Sequence, residues 1–542
     1  MARVIVTYGR GWNSLATVRS LGRRGIEVYC GEEAPFAPCF FSKYCRGHFQ
    51  YPSPSREPDA FVDFMAEKVK ELAPDGDEPY VLMPIHKETF VLAEHRERFE
   101  PHIKLPVTTI ENIRLTDDKG SLARLAEQHG IRIPRTWQFH AVDELYRRVP
   151  DLPMPVFVKV RKGAAGVGLK KVNTPEELVT TFREFVDGFG LQPEQYPLVQ
   201  EFVAGEDYCV TTLFNQGTCV ASMTYHNIRS FPRGTGAGAL RETVPHAEAE
   251  EAAVKLLSPL NWHGIAQVDF RIPKGGPPYL IEVNPRFFGG LAQCIAANVD
   301  YPYLLYQIAI GEPIDQSVAG AEIDYEKRTE TPIVGLLATL EEIANDEAKL
   351  AELRAVADEF KRIPAADGKR RQFQRFLDQL KAVASPTNVR DYLRQMFEKH
   401  TDTINDVVHA DDPLPGLGVL YPLALMVKHG TLSTAVLVSE QELPGRRPRK
   451  GLRDRLRPNW ATLILTGVLF ILSVVIDRFE PTRQWLGWLL GWPRHAAEAV
   501  GGQDGSGTSF AFYHILNFVY LYILSAVILW LRGRPRGRAV SA

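Results

Sequence analysis

The sequence predicts an α/β protein that is divided into several domains, and three observations indicate this class. The first hundred residues alternate between short apolar segments and helical ones, which is typical of βαβ units with a parallel sheet. Near residue 160, a β-branched strand leads into a glycine-rich loop. The chain has 542 residues, which is more than one hydrophobic core usually organises.

The composition narrows the classes of function. The formal net charge is −2, so no overall basic balance indicates a nucleic-acid partner. Six cysteines show neither a CxxC pair nor zinc-type spacing, which favours free thiols in a reducing compartment over disulfides or bound metal. The apolar opening of the chain is too short for a secretory signal and is expected to be a strand.

The N-terminal segment is predicted to form a βαβ domain. Helices are expected over Leu15–Leu21 and Phe61–Leu72. The glycines of the first turn leave open a dinucleotide-binding site with Glu32 as the ribose acid, although Ser14 stands where the third glycine belongs. The strands are expected at Arg3–Tyr8, Ile26–Cys30 and Tyr80–Ile85.

The middle of the chain is predicted to continue with a helix and then mostly strands. The helix is expected over Thr116–His129, with Thr116 or Asp117 as its cap. A Gly-Ile-Arg-Ile-Pro sequence then interrupts it. The strands are expected at Val156–Val160, Leu198–Val203, Asp207–Phe214, Ile265–Ile272 and Pro278–Val283.

Three polar side chains end the last of these strands. Glu282, Asn284 and Arg286 stand at alternate positions, and residues two apart on a strand point to the same face. Two oxygen ligands suited to a hard cation therefore lie beside a guanidinium suited to phosphate. This combination indicates a magnesium–nucleotide site.

A lysine and a glycine-rich loop are a second candidate for phosphate binding. Lys159 ends its strand, and flexible backbone N–H groups follow beside its fixed positive charge. The loop alone is equally consistent with a simple hairpin turn. Lys119 upstream and the acidic segment 200–207 downstream favour the phosphate interpretation. The glycines of the loop are Gly163, Gly166 and Gly168.

In their order, these motifs resemble the ATP-grasp ligases over roughly residues 1–315. The resemblance implies a pre-ATP-grasp α/β domain followed by an ATP-grasp fold, in which two α+β subdomains clamp ATP. It also implies that ATP is bound with Mg²⁺, or with Mn²⁺. Because several separately spaced motifs agree, chance similarity is a poor explanation.

The resemblance assigns roles around the nucleotide. The two lysines would contact the phosphates and the adenine side, and the glycine loop would close over the β- and γ-phosphates. The backbone of Glu201 and Val203 would hold adenine, while Asp207, favoured over Glu206, would bind ribose. The implied ATP-binding residues are Lys119, Lys159, Gly163, Gly166, Gly168, Glu201, Val203 and Asp207.

The resemblance also implies the chemistry. Asp269, Glu282 and Asn284 fall where the family has its magnesium ligands, and Arg286 falls where an arginine steadies the transferred phosphoryl group. The γ-phosphate would pass to a substrate carboxylate, and an amine would displace phosphate from the resulting acyl phosphate. Charge that grows during transfer would be neutralised by the cation and by Arg286.

A carboxylate substrate needs a cationic partner near the γ-phosphate. The glycine-rich segment between the adenine hinge and the metal strand contains three candidates. For each of them, a solvated surface charge is the alternative interpretation. The candidates are Arg229, Arg233 and Arg241.

Two apolar runs near the C-terminus predict a transmembrane hairpin. Helices are expected at 459–477 and 508–531, and each is long enough to span the hydrocarbon core. Seven basic side chains precede the first run and four arginines follow the second, which places both outer ends and the catalytic part in the cytoplasm. His514, near the start of the second run, is expected at the membrane interface.

The sequence therefore predicts an ADP-producing, carbon–nitrogen bond-forming ligase at the cytoplasmic face of a membrane, with the lipid bilayer as a partner. A homodimer is left open, as are another acceptor (bicarbonate, hydroxyl or thiol) and a non-catalytic ATP sensor. The predicted segments are an α/β domain 1–112, the ATP-grasp domain 113–315, a helical extension 316–442, a basic linker 443–458, helix 459–477, an external loop 478–507, helix 508–531 and a basic tail 532–542.

Overall fold

The computed structural model describes residues 1–34, 37–161, 168–231, 236–331, 334, 403–407 and 409–416. The predicted transmembrane helices, the basic linker, the external loop, the basic tail and most of the helical extension lie outside these residues. Among the described helices, none has the length and apolar character needed to cross a membrane.

The first sheet is parallel and belongs to the N-terminal part of the chain. It has the strand order β3-β2-β1-β4, which confirms the predicted βαβ pattern. Both faces are covered, as expected for a parallel sheet, because Val4 and Val6 pack towards the first helix whereas Ile5 packs towards the second. The elements are β1 Arg3–Val6, α1 Trp12–Arg23, β2 Glu27–Glu32, β3 Cys45–Gln50, α2 Pro58–Glu71, β4 Tyr80–Met83 and α3 Glu88–Glu94.

The second sheet is antiparallel and has the order β5-β8-β6-β7. Its buried side packs against two helices through residues that include Val158, Leu178 and Phe182. The elements from the end of the first domain through this sheet are α4 Ile110–Asp117, α5 Lys119–Gln128, β5 Thr136–Gln138, α6 Val142–Arg148, β6 Val156–Lys159, β7 Leu169–Val172, α7 Pro175–Phe189 and β8 Leu198–Glu201.

The third sheet has seven strands in the order β13-β12-β9-β10-β11-β14-β15. One face packs against α5 and a later helix, and the other packs against two helices that also contact α1 of the first sheet. The first and third sheets are thereby held beside each other. The elements are β9 Glu206–Asn215, β10 Thr218–Phe231, β11 Ala237–Thr243, α8 Ala247–Leu257, β12 Gly264–Ile272, β13 Tyr279–Asn284, α9 Leu291–Ala296, α10 Tyr301–Ile310, β14 Arg328–Glu330 and β15 Thr403–Asn405.

The predicted helix over Thr116–His129 is wrong in one respect. The chain forms α4 and α5 instead, and they are separated at Asp118, which has extended backbone angles. Asp118 is also the N-cap of α5, in place of the predicted Thr116 or Asp117, because its side chain accepts a hydrogen bond from the backbone N–H of Ser121 at 2.8 Å. Within the described residues, the other strands and helices predicted for the first 284 residues are present, with ends shifted by a few residues.

The chain returns to the third sheet after residue 402. We call residues 403–407 and 409–416 the return segment. Its strand β15 pairs in parallel with β14, so the sheet extends beyond residue 315 into the part predicted to be a helical extension. Two buried ion pairs fix the segment: Asp412 with Arg19 of α1, and Asp406 with Arg241 of β11. The segment therefore bonds to elements beside both the first and the third sheet.

Candidate active site

The candidate site begins with two neighbouring strands of the third sheet. In the antiparallel register of β12 and β13, Asp269 lies directly opposite Glu282, and Gln267 lies opposite Asn284. Residues directly opposite each other on paired strands share a face, as do residues two apart. Two carboxylates and two amides therefore meet on one face of the sheet.

A chain of hydrogen bonds connects these side chains. Asn284 Nδ2 donates to Asp269 Oδ2 at 3.0 Å, and Arg286 Nη2 donates to Asn284 Oδ1 at 3.0 Å. Gln267 Nε2 donates to the other oxygen of Asp269, while Gln267 Oε1 accepts from the Tyr225 hydroxyl at 3.0 Å. Asn284 thus orients both Asp269 and Arg286, and Gln267 holds Asp269 from its other side.

Two lysines approach this face from other elements. Lys119, at the start of α5, brings its Nζ within 3.5 Å of Glu282 Oε2. Lys159, at the end of β6, is only 7% exposed, and its Nζ donates to Gln200 Oε1 at 2.6 Å. The first contact joins α5 to the third sheet, and the second holds Lys159 against β8.

The electrostatics of the site show how closely these charges lie. Burial and then the charge of Glu282 raise the pKa of Asp269 to about 7. Burial would also raise the pKa of Glu282, but the charges of Lys119 and Lys159 outweigh it and lower that pKa. Burial and then the charge of Lys119 lower the pKa of Lys159 to about 8. Like charges therefore face each other within both the acid pair and the lysine pair.

The segment after β8 contains the residues predicted to hold the nucleoside. The carboxylate of Glu201 accepts two hydrogen bonds from the guanidinium of Arg135, at 3.0 and 3.1 Å. The backbone N–H of Glu201 donates to the backbone carbonyl of Arg135 at 2.9 Å. Val203 is half-buried two residues later. Gly205 is required there, because a Cβ atom would lie 2.5 Å from the carbonyl oxygen of Ile272.

The two acids at the start of β9 have different surroundings. Asp207 forms an ion pair with Arg271 at 2.9 Å, and its charge acts on both Lys159 and Asp269. Glu206 contacts His226 at 3.3 Å instead. Of the two, Asp207 is electrostatically connected to the acid and lysine pairs, so it remains the predicted ribose ligand.

The glycine-rich loop is described only at its end. Gly163 and Gly166 lie outside the described residues, whereas Gly168 has a φ of +70°. A Cβ atom at Gly168 would also lie 2.4 Å from Val160 Cγ2. A glycine is therefore needed where the loop rejoins β7.

The three predicted substrate arginines differ in position. Arg233 lies outside the described residues. Arg229 lies on β10 at a register irregularity, and its charge acts on Glu330. Arg241 is 4% exposed, and its Nη1 donates to Asp406 Oδ2 at 2.9 Å, so a substrate carboxylate at Arg241 would compete with Asp406.

Sequence reasoning missed the contribution of the first sheet. Tyr8 follows β1, and His86 follows β4. The strand order of the sheet reverses between these two neighbouring strands. The two rings stack with centroids 4.6 Å apart. Burial, and after it the charge of Arg286, lowers the pKa of His86, so this edge of the sheet lies near the strand-end arginine. Ligands bind at such reversal points in parallel sheets, and this is the signal that could have indicated the two residues.

Comparison with known proteins adds a family match and distant relatives. Residues 194–331 match the family described as "ATP-grasp in the biosynthetic pathway with Ter operon". The D-alanine–D-alanine ligase B of Clostridium perfringens is 24% identical over 175 residues, which are 31% of this chain and 56% of that protein. The D-alanine–D-alanine ligase of Cupriavidus metallidurans is 27% identical over 221 residues, which are 37% of this chain and 65% of that protein.

The aligned segments span under two thirds of the length of these ligases. Among solved structures, the L-amino acid ligase from Bacillus licheniformis has a TM-score of 0.46 and 18% identity, with 60% of this chain and 78% of that chain covered. The family match contains the strand-end acids, Asn284 and Arg286. The chain is therefore similar to an ATP-grasp family over residues 194–331, and to the two D-alanine–D-alanine ligases over about a third of its length.

Proposed function

We propose that this protein is an ATP-dependent carboxylate–amine ligase that uses Mg²⁺ and forms ADP. One observation supports this proposal above all: Glu282, which contacts Lys119, lies opposite Asp269, and a hydrogen-bond chain through an amide connects Asp269 to the strand-end arginine. Such a surface is suited to a ligand that has charges of both signs, as a nucleotide phosphate with a divalent cation does.

The donor set fits Mg²⁺. Two carboxylates and an amide are hard oxygen ligands. The pKa of Asp269 is raised by burial and then by the charge of Glu282, and a divalent cation would relieve that like-charge contact. Asn284 Oδ1 accepts one hydrogen bond from Arg286 and has a second lone pair. Among the described residues, no group of three His, Cys, Asp or Glu side chains is placed to hold a metal, so the amide of Asn284 is needed as the third ligand.

In this proposal, the chain's own residues bind and orient the reactants. Magnesium would neutralise charge on the terminal phosphates. Lys119 and Lys159 bind the phosphates, and Arg286 stabilises the phosphoryl group from the side of the first sheet. The stacked Tyr8 and His86 lie near Arg286, and the substrate carboxylate would bind beside them.

Two parts of the proposal rest on sequence alone. The amine acceptor is suggested by the names of two of the curated relatives, which are D-alanine–D-alanine ligases. Anchoring at the cytoplasmic face of a membrane is suggested by the uncharged runs and their basic flanks. Membrane fractionation of the full chain and of a chain ending at residue 457 tests the anchor, which is refuted if both chains stay in the soluble fraction.

The function is tested by measuring ADP release with Mg·ATP and a panel of amino acids, other carboxylates, amines and bicarbonate. We expect turnover that requires both a carboxylate and an amine, and a loss of about 10²–10³-fold in kcat for R286K. R98K is the matched control, because Arg98 pairs with Asp63 on the surface of the first domain. Turnover with bicarbonate alone would indicate the other acceptor class, and ATP binding without stimulated ADP release would indicate a sensor.

A further inference from the structure

An ion pair joins the two segments that contain the predicted nucleotide lysines. Arg161 Nε donates to Asp118 Oδ2 at 2.9 Å, and Arg161 Nη2 donates to Asp118 Oδ1 at 2.6 Å. This bidentate geometry gives the strongest kind of arginine–carboxylate ion pair. The side chains are 16% and 14% exposed, so water screens the pair only partly.

The position of the pair in the sequence is what connects it to the lysines. Asp118 directly precedes Lys119, and Arg161 stands two residues after Lys159. The backbone N–H of Lys119 also donates to the carbonyl of Arg161 at 3.3 Å. The start of α5 and the end of β6 are thus joined by side-chain and backbone bonds within two residues of each lysine.

Two further contacts complete this network. Arg161 Nη1 donates to Gln138 Oε1 at 3.1 Å, and Gln138 Nε2 donates to the carbonyl of Gly120 at 3.4 Å. Gly120 lies against the guanidinium, because a Cβ atom there would be 2.6 Å from Arg161 Nη2. The residues on both sides of Lys119 are therefore held by bonds to β5 and β6.

The network opposes a repulsion that the structure also shows. The charge of Lys119 contributes to the lowered pKa of Lys159, so the two ammonium groups disfavour each other while no polyanion lies between them. Burial would raise the pKa of Asp118, but the bonds from Arg161 and Ser121 lower it, so the carboxylate stays charged at neutral pH.

We propose that Asp118 and Arg161 are a positioning pair that fixes Lys119 and Lys159 at the separation required by the phosphates of ATP. This inference rests on the proposed function, because it assumes that both lysines bind the nucleotide. Neither Asp118 nor Arg161 touches the reacting atoms in this scheme. They act through the backbone that places the lysines, before ATP arrives.

The first test is the dissociation constant of Mg·ATP, measured by calorimetry on the full-length chain, together with KM and kcat. We expect D118N and R161Q each to weaken ATP binding about tenfold, with kcat at saturating ATP within about twofold. Asn caps helices as well as Asp does, so D118N keeps the start of α5. Because the pair acts as a unit, the double variant should bind ATP as weakly as either single variant.

The matched control is the pair formed by Arg3 and Glu27, which is 21% and 19% exposed and joins β1 to β2 in the first sheet. E27Q should lower the melting temperature about as much as D118N does, but leave ATP binding unchanged. Equal ATP binding in wild type, D118N and E27Q overturns the inference while the proposed function stands. Absence of Mg·ATP binding by the wild-type chain overturns both.

A second test separates positioning from stability. In G120A, the new methyl group displaces the guanidinium of Arg161, yet alanine is the better helix former, so stability should be unchanged or higher while ATP binds more weakly. G188A in α7 is the control, because no atom lies within 4 Å of its new Cβ, and it should affect stability alone. If ATP binding in G120A equals that in G188A, the pair has no positioning role.

Discussion

Two regions of the molecule are built from buried charges, and they arrange these charges in opposite ways. In the return segment, each buried arginine meets a carboxylate: Arg19 bonds to Asp412, and Arg241 bonds to Asp406. At the strand-end site, carboxylate faces carboxylate across β12 and β13, and the two lysines repel each other. In the first arrangement each buried charge faces an opposite charge, whereas the second places like charges together, and a bound ligand would relieve their repulsion.

The comparison separates a structural role from a functional one. The donors of Arg19 are used by Asp412 and by three backbone carbonyls of the return segment, at 2.7 to 3.2 Å. Burial shifts pKa values in both regions. Around the return segment the oppositely charged partner opposes the shift, whereas at the strand-end site a like charge adds to it, which is the arrangement that functional sites favour.

The largest effect is expected in the return segment. D412A removes the partner of Arg19 and also an acceptor used by Ser42 Oγ and by the backbone N–H of Lys43. Because an uncompensated buried charge remains, the free energy of unfolding should fall by about 3–5 kcal/mol, as measured by urea denaturation. The double variant R19M/D412L is the control, since it leaves no buried charge and should recover most of the loss.

If D412A lowers the free energy of unfolding by less than about 1 kcal/mol, the comparison is contradicted, because ion pairs on the surface contribute no more than that to stability. Such a result would mean that water reaches Arg19 once its partner is removed. The return segment would then be a peripheral addition to the third sheet, and its contacts would explain little of how the first and third sheets are held together.

The next effect concerns the pH dependence of Lys159. Burial and then the charge of Lys119 lower its pKa from the ordinary 10.5 to about 8 in the folded chain, so between these limits the unfolded chain binds more protons than the folded one. Stability should therefore rise with pH across this window, by roughly 3 kcal/mol relative to K159M. Below pH 8 the full cost of the buried charge is present, so K159M should be the more stable protein there.

The measurement is urea denaturation of both proteins at intervals from pH 7 to pH 10.5. K274M is the matched control, because Lys274 is exposed in the turn between β12 and β13 and should follow the wild-type curve. If the free energy of unfolding changes with pH in the same way for wild type and K159M, then the pKa of Lys159 is not lowered in the folded protein. The site would then resemble the return segment, and the contrast between the two regions would be lost.

The strand-end residues could be predicted from the sequence because their signal is local. Glu282, Asn284 and Arg286 follow an apolar strand at alternate positions, and that pattern alone sets their common face. Gln267 and Gln200 could not be predicted in the same way, because their roles depend on strand register and on which element packs against which.

Long-range contacts explain the remaining differences. Asp406 is 165 residues from Arg241, and no local pattern indicates that the two meet. The break between α4 and α5 has a similar cause. The sequence predicted Thr116 or Asp117 as the cap, whereas the structure pairs Asp118 with Arg161, which is 43 residues away. Tyr8 and His86 could be recognised only once the strand order of the first sheet and its packing near Arg286 were known. Local sequence patterns do not contain that information.

The smallest effect should come from an exposed pair of the same chemistry. Arg132 Nη1 lies 2.7 Å from Glu248 Oε1, which matches the 2.8 Å contact between Arg19 and Asp412, but its side chains are 58% and 54% exposed. E248Q should therefore change the free energy of unfolding by less than about 0.5 kcal/mol, and added salt should abolish the change. Since the two distances are equal within 0.1 Å, a loss in E248Q approaching that of D412A would show that contact geometry, and not burial, sets the stability of these pairs. A negligible loss would leave burial as the variable that distinguishes them.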